Sequence, residues 1–220
     1  MTPFTFTVPP LFDYFATFLW AVSGAIVGMR KRYDIAGVFV IALLAATGGS
    51  TLRDGLFLHR LPPVLTDRYY LPLILLATIV VSFFRQRIAD MPLIDNVISL
   101  IDAPGVPAFA VVGMQLSLAV GVPTPGVLLI GMINGFGGGF LRDLTVGNEP
   151  SALKPGRFNV SAAFVACVLF VAMVSYLGVN KDVAAWIIIA VFFALRVLSI
   201  RYDWQTRSVL PPSSGAASGD

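Results

Sequence analysis

Two stretches of the sequence place consecutive glycines a few residues before an arginine–aspartate pair, inside apolar segments of helix length. They run from Gly48 to Asp54 (GGSTLRD) and from Gly137 to Asp143 (GGGFLRD). Each glycine weakens a helix by about 1 kcal/mol relative to alanine, and ionisable side chains inside an apolar span usually mark a functional site. The pattern predicts two helices broken near mid-length, whose freed carbonyls suit cations and whose freed amides suit anionic groups.

The polar residues around these stretches predict a path through the protein that is gated at the glycines. Arginines in a cation path need neutralisation, which the adjacent aspartates supply, and neutral polar side chains add to the lining. The predicted pore and gate residues are Gly48, Gly49, Ser50, Thr51, Arg53, Asp54, Asn134, Gly137, Gly138, Gly139, Arg142 and Asp143. Asp13 and Asp102 are secondary candidates.

Simpler interpretations of the same residues stay open. Small residues at four-residue spacing, such as Gly131, Gly135 and Gly139, commonly let membrane helices pack closely. The arginine–aspartate pairs serve equally well as structural ion pairs that fix helix orientation. Asp13 and Asp102 are more simply explained as caps or interfacial residues than as ion ligands.

The composition is that of a polytopic membrane protein. Of the 220 residues, 57% are hydrophobic and 12% are charged, and the mean hydropathy is +0.84. A soluble domain of this size cannot bury so much apolar surface. The formal net charge of +3 does not favour nucleic acid as a partner, and one cysteine and one histidine exclude an intramolecular disulfide and a His- or Cys-based metal centre.

No enzyme motif is found in the sequence. It has no phosphate-binding loop, no metal-ligand cluster and no nucleophile beside a plausible base. We therefore expect no enzyme, no cofactor and no metal beyond transient monovalent cations. The first apolar run has no basic region before it, so we expect no cleaved signal peptide.

The apolar segments predict an all-α membrane protein with seven transmembrane helices. Segments of spanning length cover residues 11–29, 36–58, 69–85, 97–120, 125–146, 158–178 and 183–202. The expected organisation is an extracytoplasmic extension at 1–10, a first three-helix repeat at 11–90, a second and inverted three-helix repeat at 95–178, a seventh transmembrane helix at 183–202 and a disordered cytoplasmic tail at 203–220.

The repeat follows from aligning the chain onto itself. A shift of 89 positions, which carries Arg53 and Asp54 onto Arg142 and Asp143, also superposes Asp13 on Asp102 and several glycines on one another. Each copy holds three spans, an odd number, so the second copy enters the membrane upside down. Inverted repeats of this kind build transporters and channels around a site near the bilayer midplane.

Basic residues in alternate loops indicate the orientation. One side carries Arg30, Lys31, Arg32, Arg85, Arg87, Lys154 and Arg157, whereas the other carries Arg60, Arg68 and Lys181. Lys and Arg accumulate in cytoplasmic loops. The bias predicts a protein of the prokaryotic cell membrane with its N-terminus outside and its C-terminus in the cytoplasm.

Two three-helix repeats plus a seventh helix, with the GGSTLRD and GGGFLRD stretches in the second and fifth spans, resemble the prokaryotic branch of the trimeric intracellular cation (TRIC) channel family. The resemblance covers about residues 11 to 202. It implies a homotrimer whose protomers each hold a pore bounded by kinked second and fifth helices. It also implies conduction of monovalent cations, chiefly potassium and also sodium, in contact with membrane lipids.

Two functions of different classes remain in competition. The first is a potassium-permeable channel that opens by rearrangement at the glycine kinks. The second is a secondary transporter of a small amino acid such as glycine, which would use helix-break amides for the carboxylate and Asp54 or Asp143 for the ammonium group. A purely structural scaffold would leave the duplicated charged motif unexplained.

Overall fold

The protein is all-helical throughout the part that the computed structural model describes, which comprises residues 10–89, 91, 94–153 and 160–202. The longer helices are α1 (Pro10–Arg30), α2 (Ile35–Leu52), α4 (Tyr70–Phe83), α6 (Ile94–Ala119), α7 (Thr124–Thr145), α8 (Val160–Ser175) and α9 (Lys181–Arg201). Two short helices, α3 (Pro63–Thr66) and α5 (Arg85–Ala89), lie in the connections. Each predicted apolar segment overlaps one of the longer helices.

The helix ends follow from local sequence. Asp34 caps α2, because its carboxylate accepts a hydrogen bond of 2.8 Å from the Gly37 amide. Pro123 precedes α7, and Asn180 caps α9 by accepting from the Asp182 amide at 2.8 Å. Gly121 follows α6 with φ +77°, a left-handed conformation that glycine adopts without steric cost.

The described residues form two large apolar cores and a small third cluster of Val27, Ile41 and Val146. One joins α1, α2 and α4 and includes Trp20, Ala42 and Ile74. The other joins α6, α7, α8 and α9 and is centred on Met114 and Phe170. In the packing, α1 contacts α2 as α6 contacts α7, and α2 lies directly against α7, so these two helices join the halves.

Much of the outer surface is apolar. The exposed large side chains on α4, α8 and α9 include Leu71, Leu75, Leu76, Ile79, Phe83, Phe164, Val165, Leu169, Trp186, Ile187, Val191 and Phe193. Two helical stretches, Ile35–Phe57 and Thr124–Thr145, are long and apolar enough to cross a membrane, and Tyr70–Phe83, Gly105–Ala119 and Ala163–Ser175 are shorter apolar helices. An apolar exterior of this extent suits contact with lipid.

The prediction that the glycine stretches break their helices is wrong. Both α2 and α7 remain α-helical through Gly48 and Gly49 and through Gly137 to Gly139. The irregularity comes later in the first stretch, where Arg53–Phe57 forms a π-helical turn. The physical reason is that the glycines pack the two helices against each other, so tertiary contact offsets their low helix propensity.

Several predictions concern residues outside the described part. They are the extension at 1–9, the tail at 203–220, and Lys154 and Arg157 of the fifth loop. Asp102 belongs to α6, but its side chain lies outside the described side chains.

Candidate functional site

The centre of the molecule is a crossing of α2 and α7 at their glycines. A Cβ added to Gly48 would lie 3.2 Å from the Gly138 Cα, and a Cβ added to Gly137 would lie 3.2 Å from the Gly49 Cα. A Cβ on Gly49 would overlap the Asn134 carbonyl oxygen, and one on Gly138 would overlap that of Ala45. The two backbones therefore touch, and any larger residue at Gly49 or Gly138 must push the helices apart.

The contacts at this crossing repeat with an offset of 89 residues. Gly49 on Asn134 corresponds to Gly138 on Ala45, and Gly48 on Gly138 corresponds to Gly137 on Gly49. The same offset holds within each half: Gly24 packs on residues 41, 42 and 45, and Gly113 packs on residues 130, 131 and 134. The sequence shift is thus matched by equivalent backbone contacts in the two halves.

The first buried charge cluster follows the crossing at the end of α2. Arg53 and Asp54 are 2% and 0% exposed. The guanidinium of Arg53 binds both carboxylate oxygens of Asp54, at 2.7 Å from Nε and 2.5 Å from Nη2, and also donates to the Asn134 Oδ1 at 3.2 Å. Arg60, whose side chain is 42% exposed, donates to the same carboxylate at 2.7 Å. One carboxylate therefore holds a buried arginine and a solvent-accessible one.

The second cluster lies at the matching place in α7. Arg142 Nε donates to Asp143 Oδ1 at 2.9 Å, and Arg142 Nη1 donates to the buried Ser23 hydroxyl at 2.5 Å. The other Asp143 oxygen accepts from the Ser151 amide at 2.9 Å. Each arginine thus pairs with its neighbouring aspartate and bonds a polar group of the opposite half. Buried charges persist only when paired and hydrogen-bonded in this way.

Asn134 links the crossing to the first cluster. It is buried, its side-chain oxygen accepts from Arg53, and its amide donates to the Phe109 carbonyl of α6. The structure does not bring Ser50 and Thr51 into either cluster: Ser50 donates to its own helix at the Thr47 carbonyl, 2.9 Å away, and Thr51 is exposed. Gly139 is half-buried and faces Arg142 and the Trp20 ring at ordinary contact distance.

Sequence reasoning missed a polar row on α1. Asp13, Thr17 and Trp20 are spaced four and three residues apart, which places them on one face of the helix. The Trp20 ring lies against Gly105, Gly138 and Gly139. The Thr17 hydroxyl and the Trp20 indole N–H are buried, and within the described part of the chain neither has a hydrogen-bond partner. Their spacing from Asp13 is the one sequence signal that would have found them.

Asp13 itself is held by Tyr70 of α4, which lies beside two further tyrosines. The Tyr70 hydroxyl donates to the Asp13 carboxylate, and the Tyr14 hydroxyl donates to Asp67 at 2.5 Å. Tyr14 packs edge-on against the rings of both Tyr69 and Tyr70. The described residues contain no group of three His, Cys, Asp or Glu side chains placed to hold a metal ion.

Comparison with known proteins assigns the chain to a family. The model of the glycine transporter family matches it twice, at residues 10–86 and 99–175, again 89 positions apart. The UPF0126 membrane protein YvgT of Bacillus subtilis is 30% identical over 186 residues, covering 84% of this chain and 89% of that protein. The chain belongs to the family that this glycine transporter model describes.

A further relative and two solved structures agree. A UPF0126 membrane protein of Deinococcus radiodurans is 35% identical over 141 residues, which is 64% of each chain. A solved TRIC cation channel superposes with a TM-score of 0.83 at 26% identity, covering 94% of this chain and 100% of that one. The TRIC channel orthologue of Rhodobacter sphaeroides superposes at 0.79, covering 88% and 97%. The chain is an integral membrane protein with the prokaryotic TRIC fold, which confirms the resemblance and the all-α class.

Proposed function

We propose that this protein is a monovalent cation channel, permeable to potassium, with a pore inside each protomer. The observation that carries the proposal is the pair of buried, neutralised Arg–Asp clusters on either side of the glycine crossing, in a fold that superposes on TRIC cation channels. Polar groups this costly to bury in an apolar protein usually line a pathway. Each arginine is matched by a carboxylate, so the pathway need not repel a cation.

The crossing of α2 and α7 is the proposed gate. Gly48, Gly49, Gly137 and Gly138 place no side chains of their own in the contact, so a shift of the helices there needs to displace only neighbouring side chains such as Leu52 and Leu141. Arg53 and Arg142 each bond a group on the opposite half, namely Asn134 and Ser23. Movement at the crossing would therefore change both clusters together. This replaces the expected broken-helix gate with one made from two continuous helices.

The proposed architecture is two inverted three-helix repeats, 11–90 and 95–178, followed by a seventh transmembrane helix. The equivalent glycine contacts and the doubled family match support this arrangement. The N-terminus lies outside and the C-terminus in the cytoplasm, as the basic loops favour. The assembly is a homotrimer in lipid, because the superposed relatives are trimeric cation channels.

The second candidate is a secondary transporter of a small amino acid such as glycine. The name of the matching family model favours it. The same crossing would then close alternately toward the two faces of the membrane. The continuous helices weaken this candidate, because the backbone amides that would bind a substrate carboxylate remain within the α-helices.

Electrical recording from purified protein in planar bilayers under a potassium chloride gradient separates the two candidates. We expect unitary currents that reverse near the potassium equilibrium potential. Arg142→Ala should alter conductance or open probability in protein that elutes like wild type, whereas Arg87→Ala, on an exposed connection, should not. Absent currents together with counterflow of labelled glycine would establish the transporter. Unchanged currents in Arg142→Ala would remove Arg142 from the pore.

A further inference from the structure

The N-terminal half of α1 carries oxygen atoms whose hydrogen-bonding capacity is only partly satisfied by the described residues. Thr17 is 0% exposed, and its hydroxyl has no hydrogen-bond partner among the described residues. A buried hydroxyl without a partner costs free energy, so its persistence calls for a ligand. Thr17 lies one helical turn from Asp13 on the same face of α1, about 6 Å along the axis.

Asp13 is also only partly satisfied. Among the described residues, Tyr70 is the one donor to its carboxylate, and an ionised carboxylate offers about four acceptor positions. Arg53 is close enough for its charge to act on Asp13, but its guanidinium is directed to Asp54 and Asn134. Several lone pairs of the Asp13 carboxylate therefore remain free.

The charges around Asp13 leave room for one positive ion. The charged groups here are the carboxylates of Asp13, Asp54 and Asp67 and the guanidinium groups of Arg53 and Arg60. With all of them ionised they carry one net negative charge. A single monovalent cation would balance them. A divalent ion normally recruits more than one carboxylate and a larger oxygen shell, whereas one carboxylate with neutral hydroxyls suits an alkali cation.

We propose that the Asp13 carboxylate, the Thr17 hydroxyl and the Tyr70 hydroxyl form a binding site for a partly dehydrated monovalent cation. Tyr70 donates its proton to Asp13 and presents its oxygen lone pairs to the ion. The edge-on contacts of Tyr14 with Tyr69 and Tyr70 hold that hydroxyl in place. This inference rests on the proposed cation conduction. An ion that approaches from the N-terminal side of α1 first loses part of its hydration shell at this site.

The site belongs to the first half of the chain only. The position that matches Thr17 under the 89-residue shift is Val106, which has no hydroxyl. The valine at the matching position suggests the test substitution. Thr17→Val keeps the shape of the side chain and removes the oxygen. Because the lost hydroxyl is unpartnered, Thr17→Val should fold at least as well as wild type.

The test measures thermal unfolding of the purified full-length protein in potassium chloride and in N-methylglucamine chloride at equal ionic strength. Potassium should raise the Tm of wild type above the value in N-methylglucamine, since a ligand that binds the folded state stabilises it. Asp13→Asn and Thr17→Val should each abolish this difference. Asp182→Asn, which removes the same charge from the partly exposed first turn of α9, should keep it.

The outcomes separate this site from the channel function. A potassium effect that survives in Asp13→Asn and Thr17→Val, or no potassium effect in wild type, overturns the site and would leave a bound water as the partner of Thr17. Currents in bilayers with no potassium effect on Tm would sustain the channel and reject the site. A potassium effect lost in both variants, in protein that carries no current, would sustain the site and reject the channel.

Discussion

Asp54 and Asp143 each combine two tasks in one carboxylate. Each neutralises the arginine before it, and each also accepts a bond from the chain that follows, Arg60 in one half and the Ser151 amide in the other. Each aspartate therefore neutralises its arginine and also holds the chain segment that follows the helix. Removing it would take the neighbouring counter-ion away from a buried guanidinium, which is costly inside an apolar protein.

Asp143→Asn tests this residue. The asparagine oxygen can still accept from the Ser151 amide, so the loss falls on Arg142, which loses its neighbouring counter-charge and the acceptor of its Nε–H. We expect a destabilisation of about 3–5 kcal/mol, seen as a large fall in the temperature at which the detergent-solubilised protein loses its size-exclusion peak. Asp182→Asn on the partly exposed first turn of α9 is the control and should change little. Equal behaviour of the two variants would mean that the ion pair is dispensable for the fold.

Only the ion-pair partners of Arg53 and Arg142 could be predicted from the sequence; their hydrogen-bond partners in the opposite half could not. The sequence indicates Arg53 with Asp54 and Arg142 with Asp143, because adjacency and duplication reveal them. Ser23 lies 119 positions from Arg142, and Asn134 lies 81 positions from Arg53. No local sequence pattern predicts hydrogen bonds between residues so far apart in the chain. Asn134 was named for its polarity alone. Ser23, Trp20 and Thr17 went unnoticed because single polar residues in an apolar helix resemble ordinary core residues.

At the scale of the helices, the glycine runs show how packing decides between two interpretations of one residue. Helix propensity predicts a break, and close packing predicts a continuous helix with a small-residue contact. The contact of Gly49 with the Asn134 carbonyl and of Gly138 with the Ala45 carbonyl agrees with the second. Propensity measured in water does not include a neighbouring backbone at van der Waals distance.

Neighbouring glycines on α7 give a matched pair of variants. Gly138→Ala places a methyl group on the Ala45 carbonyl and should cost about 1–3 kcal/mol through overpacking. Gly139→Ala meets its nearest atoms at 3.7 Å and should be neutral or stabilising by up to about 1 kcal/mol. Thermal unfolding in detergent, with single-channel recording of each variant, measures both effects. If Gly138→Ala is as stable as Gly139→Ala, the tight crossing is not present in the protein.

Taken as a whole, the molecule shows equivalent backbone contacts and a doubled family match in its two halves, which support the proposed three-helix repeat. The sequence predicts the repeat from a small number of charged and glycine matches, because such matches are rare among apolar residues. Composition alone was enough for the helical membrane class. The relation between the halves depends on the α2–α7 crossing, whose equivalent contacts cannot be read from an alignment of the chain onto itself.

Inversion of the second half predicts that matching positions face opposite sides of the membrane. Lys31 and Val120 are equivalent under the 89-residue shift and both are exposed. In a Cys167→Ala background, Val120→Cys should react with a membrane-impermeant maleimide in intact cells, and Lys31→Cys should react only after permeabilisation. Asn148→Cys, at the far end of α7, should behave like Lys31→Cys. Labelling of Lys31→Cys and Val120→Cys from the same side would refute the inverted repeat.

The pairing of each arginine with its own neighbour also bears on how the protein is made. When the first half has entered the bilayer, α7 is still inside or near the ribosome, so neither Asn134 nor the second half of the crossing is available. Arg53 nevertheless has its counter-ion in the next residue, and Arg142 has its own in Asp143. Each half can therefore be inserted with its charges already compensated. The halves can then meet glycine to glycine as a later step of biogenesis, without first exchanging ion-pair partners.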